Sequence, residues 1–140
     1  MSIDVKFTVR YESPIETVFA TATDVSRMDE WSAKAIRSIS DGPVGVGTRF
    51  TLVTDFMGVE YPVNYTVTAY EPGRKFAYKS GGATPNEINM TFAPTDEGTA
   101  LTFEVSVKVS GLLAPMVKNN IREKTQNNLI KLAEILPEED

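Results

Sequence analysis

Two residue types are missing from this chain of 140: it has no cysteine and no histidine. Without cysteine there is no disulfide, thiolate nucleophile or thiol redox pair. Without histidine no Ser-His-Asp triad can be assembled. Their joint absence removes the usual zinc ligands and leaves only an all-carboxylate site for magnesium or calcium as a metal option. Long apolar runs are missing as well. None approaches the ~20 residues that cross a bilayer, so membrane insertion is not expected. The first residues, MSIDVKFTVRYE, alternate instead of forming an apolar block, which excludes a signal peptide and makes the cytoplasm the default location. Basic residues are the minority, 14 against 19 acidic, for a formal net charge of −5. Such a chain repels phosphate backbones, so nucleic acid is not expected as a partner. The acidic end Glu138, Glu139, Asp140 is expected to be a solvated tail. No repeat or low-complexity segment divides the sequence, so one domain over residues 1–140 is expected, as a monomer or a homodimer.

What is present is mostly alternation. Ile3, Val5, Phe7, Val9 and Tyr11 share one face of a half-buried strand. Ser13-Pro14-Ile15-Glu16 then has the spacing of a capping box, with Ser13 as the cap and Pro14 in the first turn of a short helix. A second short helix is expected from Asp24 or Ser26 to about Trp31, followed by a weak strand at 34–40. Four further strands and their turns follow from Phe50 to Phe92, with Pro62 marking an edge or a bulge. Leu101 to Val109 complete the set, and a long helix runs from about Leu112 to Leu136. Its apolar stripe is Leu113, Val117, Ile121, Leu129, Leu132, Ile135 and Leu136, interrupted by Thr125 and Asn128, with Lys124 snorkelling at its edge. The order is β-α-α-β6-α, an α+β chain. Short turns between strands make the sheet an antiparallel meander. Seven strands have more inner surface than one helix can cover, so the surplus either packs shut or encloses a cavity.

The densest glycine segment, Gly42-Pro-Val-Gly-Val-Gly47, has the GxxxxG spacing of a phosphate loop, but Thr48-Arg49 stand where Lys and Ser or Thr are required. A phosphate loop also opens a helix, whereas Phe50-Thr-Leu-Val-Thr54 is a strand. The segment therefore reads as a loop between strands. Taken with Ser-Pro-Ile-Glu-Thr-Val-Phe at 13–19, Trp31, Val-Gly-Val-Gly-Thr-Arg-Phe at 44–50, the stretch 68–78 and Glu-Gly-Thr-Ala-Leu-Thr-Phe at 97–103, it resembles the polyketide cyclase/dehydrase branch of the START-like SRPBCC superfamily. That resemblance implies a helix-grip fold, a seven-stranded curved antiparallel sheet wrapped around the long C-terminal helix with an apolar pocket between them. The superfamily includes lipid and sterol carriers, cyclases, hormone receptors, ring-hydroxylase subunits and chaperone activators, so fold alone does not select an activity.

The candidate ligand contacts follow from the inward positions. The aromatic row supplies Phe50, Phe56, Tyr65, Tyr78 and Phe103, with Met90 beside them, and the helix supplies Val117, Ile121, Thr125 and Asn128. Trp31 either sits near the pocket mouth, as the resemblance implies, or anchors the core beneath the short helices. Thr125 and Asn128 either meet ligand or bond to the protein's own backbone. Glu104, Asp55 and Glu60 alternate outward, so no carboxylate pair points at the pocket and no catalytic residue is identified. Binding or transport of a small hydrophobic or amphipathic ligand, lipid- or polyketide-like and without a cofactor, is the leading expectation. A cyclase or dehydratase acting in the same pocket, and a protein-interaction module, are the alternatives.

Overall fold

A computed structural model describes residues 2–56, 58–82, 85–109 and 111–137; the Phe56 side chain and the acidic tail lie outside the described residues. Seven strands form one sheet, β1 (Ser2–Tyr11), β2 (Ala35–Ile39), β3 (Arg49–Phe56), β4 (Val59–Glu71), β5 (Lys75–Ser80), β6 (Asn86–Pro94) and β7 (Thr99–Lys108), every neighbouring pair antiparallel. Their order is β1-β7-β6-β5-β4-β3-β2. Only the step from β1 to β7 departs from a meander, and α1 (Ile15–Ala22), a 3-10 helix (Val25–Glu30) and the long α2 (Ala114–Ile135) complete the chain. This is the helix-grip architecture.

Local chemistry explains the helix ends. Asp24 caps the 3-10 helix by accepting from the Ser26 N–H at 3.1 Å. The capping box expected at Ser13 is not formed: the cap position falls on Pro14, without a side-chain cap. The Pro14 carbonyl already accepts from Thr17 and Val18, while the buried Ser13 offers its own carbonyl to the Thr99 hydroxyl at 2.9 Å. Ser13 thus ties α1 to β7 and leaves capping undone. In α2 the expected inward Leu113 is instead half-exposed at the cap, and Ala114 takes the buried place. Pro115 lies within the first turn, where its missing N–H costs nothing. The glycine segment is the β2–β3 loop, with Gly47 at φ +93°, a left-handed value that no side chain adopts cheaply.

The core has two levels of packing. At one end Phe19 lies edge-on to Phe92 and Tyr70, and Leu129, Leu132 and Leu136 of α2 close over them and their neighbours. Tyr11 fixes this junction: its hydroxyl donates to the Leu129 carbonyl at 3.0 Å, joining the end of β1 to α2. At the other end β4 runs on alone. Residues 59–65 pair with β3, but pairing with β5 begins only at Thr66. Pro62 sits in this free-edged half, where a missing N–H breaks no ladder bond on the β5 side.

Two substitutions test the junction. Tyr11→Phe should lower the unfolding free energy by about 1 kcal/mol in a urea titration, the worth of one buried hydrogen bond. Gly98→Ala should cost more, about 1–3 kcal/mol, because a methyl group there collides with the Tyr11 carbonyl and the Glu12 backbone.

Candidate functional site

Where β4 loses its β5 neighbour, the space between sheet and helix is not filled. A cavity of about 880 Å³ lies there, within the range of small-molecule sites. Its floor is apolar, built from the inward residues Leu52, Val63, Ile88, Phe103, Val105 and Val107. Its roof is the first half of α2, where Val117, Ile121, Lys124, Thr125 and Asn128 recur at helical spacing. The helix therefore does two things: Leu129 to Leu136 pack in the main core and Ala114 and Val117 pack on Ile3 and Val5 of β1, while the face from Val117 to Asn128 covers the cavity.

Seven of the sequence-derived candidates lie on the wall: Tyr65, Tyr78, Phe103, Val117, Ile121, Thr125 and Asn128. Trp31, Phe50 and Met90 do not. Each is at most 2 % exposed and belongs to the packed core. Alternation marks Phe50 and Met90 as inward-facing but cannot place them along the strand, and they fall in the packed core. Trp31 is the core anchor of its two readings, edge-on to Phe103 with ring centroids 6.3 Å apart. Phe50 braces the wall from behind, stacked on Tyr65 at 5.5 Å and edge-on to Tyr78 at 5.2 Å.

Polar side chains interrupt the apolar wall. Tyr65 and Tyr78 meet edge-on at 5.0 Å, with the Asn86 side chain beside the Tyr65 hydroxyl. Burial pushes both phenols well above the ordinary tyrosine range; the Asn86 amide beside Tyr65 offsets part of this. Both are therefore neutral donors. Thr54 Oγ1 and Asn86 Oδ1 are buried on the same wall without a partner among the described residues. With its amide oriented to donate, Asn128 reaches the Trp31 carbonyl at 3.0 Å and the Lys124 carbonyl at 3.2 Å, so it steadies α2 against the loop below while flanking the cavity. Thr125 is buried on the wall.

Lys124, expected only to snorkel, is on the wall too. Its ammonium donates to the backbone carbonyl of Asp55 at the end of β3. Burial pulls its pKa below the usual lysine range, against the pull of the Asp55 carboxylate. The sequence signal was present, since Lys124 lies three residues after Ile121 and seven after Val117, on the same helix face. Asn86 was missed although it precedes Ile88 by two in the alternation. Asp55, Glu60 and Glu104 are exposed, as their outward phase implied, Glu87 is exposed as well, and no group of three carboxylates gathers among the described residues.

Fold and cavity together define a helix-grip protein with an apolar interior chamber. The chain belongs to the family described as polyketide cyclase / dehydrase and lipid transport, whose model matches residues 2–136. No curated protein matches the sequence. Among solved structures it is similar to TTHA0849 from Thermus thermophilus, with 20 % identity and a TM-score of 0.76 over 96 % of this chain and 95 % of the other. It is similar to MLL2253 from Mesorhizobium loti at 20 % identity and a TM-score of 0.74, covering 94 % of each chain. The di-domain ARO/CYC BexL of the BE-7585A biosynthetic pathway gives a TM-score of 0.78 at 14 % identity, covering 99 % of this chain and 51 % of BexL. At these identities the likenesses concern the fold.

An absorbance titration near 295 nm tests the tyrosine environments. Because burial raises the folded-state pKa of Tyr11, Tyr65 and Tyr78, their contribution to stability is complete below the unfolded value of about 10 and falls as pH rises above it. These three should ionise only together with alkaline unfolding; their titration near pH 10 in the folded protein would contradict the buried placement.

Proposed function

We propose that the protein binds a small hydrophobic or amphipathic molecule, lipid- or polyketide-like, between the sheet and α2. The observation that carries this reading is the chamber of about 880 Å³ with its largely apolar wall. Each Å² of apolar ligand surface buried there is worth about 25 cal/mol. Phe103, Val117 and Ile121 supply that surface, while Tyr65, Tyr78, Thr125 and Asn128 orient the ligand through their polar atoms. Such binding needs no cofactor. Among the described residues no helix is long and apolar enough to cross a membrane, and we expect a carrier that works in the cytoplasm. A module that only meets protein partners needs no interior space, so the chamber does not favour it.

A cyclase or dehydratase is the second reading, supported by the two neutral phenols on the wall. Donors of that kind can stabilise a developing enolate without a strong base. On this reading Tyr65→Phe with Tyr78→Phe abolishes cyclisation of a linear poly-β-keto thioester while binding persists. If the protein is a carrier, no cyclised product forms with either version.

Native mass spectrometry of the purified protein, with Ile121→Trp as control, tests the binding reading. The wild type should carry a non-covalent apolar adduct, and the tryptophan, projecting from the roof, should exclude it while the fold is kept. An adduct retained in equal amount by Ile121→Trp would place the ligand elsewhere.

A further inference from the structure

Lys124 is the one wall residue, among those described, that carries a formal charge. It sits over an apolar floor, and its only hydrogen bond among the described residues is to a neutral group, the Asp55 carbonyl. No carboxylate among the described residues lies within ion-pair distance of its ammonium: the ion pairs present join Lys6 to Glu104, Arg27 to Glu30, Lys34 to Glu60 and Arg74 to Glu71. The Asp55 carboxylate is near enough to favour the charged form, and Lys131 disfavours it, but neither touches it. One residue before Asp55, on the same strand, the Thr54 hydroxyl is buried on the cavity wall with no partner among the described residues. One cavity is thus lined by a cation held on a carbonyl at the end of β3 and by the residue before that carbonyl, whose hydroxyl is unpartnered.

We propose that Lys124 and Thr54 form an anion subsite, so that the ligand is an amphipathic carboxylic acid: an apolar body in the chamber and a single carboxylate against the ammonium and the hydroxyl. This rests on the ligand-binding reading above and narrows it to one chemical class. A charge enters an apolar chamber only if it is paired there, and this wall offers one place to pair it. The subsite has one positive charge with the Asp55 carboxylate close by, which suits a monoanion and disfavours a doubly charged phosphate. The carboxylate accepts from Lys124 Nζ, which has donors to spare beyond the one given to Asp55, and from Thr54 Oγ1.

The test uses the neutral fluorophore N-phenyl-1-naphthylamine in the purified wild-type protein, displaced by decanoate or by 1-decanol at neutral pH. Decanoate should displace it at roughly tenfold lower concentration than decanol, the preference expected of a charge-assisted hydrogen bond in a partly desolvated site. Lys124→Met, which keeps the apolar stem, should remove that preference, so that decanoate no longer displaces the fluorophore at lower concentration than decanol. Lys124→Arg should keep most of it, and Thr54→Val should reduce it by about threefold. Equal displacement by acid and alcohol in the wild type, or a preference that survives in Lys124→Met, would overturn the anion subsite while leaving the apolar chamber in place. If the fluorophore does not bind the wild type at all, the chamber reading fails and the subsite with it.

Discussion

One helix cannot cover seven strands, and the structure is organised around that shortfall. The inner face of the sheet is apolar from Val107 at one end of β7 to Leu101 at the other, and α2 lies across it. The helix has to be held where it touches, or the whole face would be wet. It is held at both ends: Leu129, Leu132 and Leu136 are packed in the main core, where the Tyr11 hydroxyl donates to the Leu129 carbonyl, and Ala114 and Val117 are packed on Ile3 and Val5 of β1. Held along β1, the helix leaves open the space toward β4 that β5, six residues long beside a β4 of thirteen, does not fill.

That geometry decides what the chamber can do. Its walls come from strands, which fix their side chains by backbone pairing, and its roof comes from a helix whose position is set elsewhere. The wall tyrosines are pinned by Phe50 behind them and by each other, so their hydroxyls have fixed directions. Fixed donors in a low-dielectric space orient a ligand at little entropic cost. The wall carries neither carboxylate nor imidazole among its described residues. Lys124 supplies charge instead, tethered through Asp55 to the free-edged hairpin of β3 and β4.

Much of the fold was legible because two periodicities dominate the sequence. Period-two alternation marks the strands other than β2, which reads only as a weak strand at 34–40, and Pro62 marks the half of β4 that lacks a second partner. The Thr48-Arg49 pair is enough to remove the phosphate-loop reading. What could not be read was depth. Phe50 and Met90 satisfy the same inward pattern as Tyr65, Tyr78 and Phe103, and only their position along the sheet separates core from wall. That separation depends on where α2 is anchored, a tertiary fact with no local signature. Ser13 shows a different failure: the capping-box pattern is present, but Pro14 moves the helix start by one residue and Thr99 claims the Ser13 carbonyl. Lys124 escapes a reading by residue type, since a lysine at the margin of an apolar stripe ordinarily reaches for solvent.

The claim on which everything else depends is that α2, packed on the sheet at both ends, roofs an apolar space along its first half. A crystal structure determined under xenon pressure tests it directly, because xenon enters apolar cavities and is visible in density. Xenon should appear between α2 and β7, in contact with Val105, Val117 and Ile121, with none between the helix and Leu101. An interior without xenon, with Val117 and Ile121 resting on Val105, would contradict it.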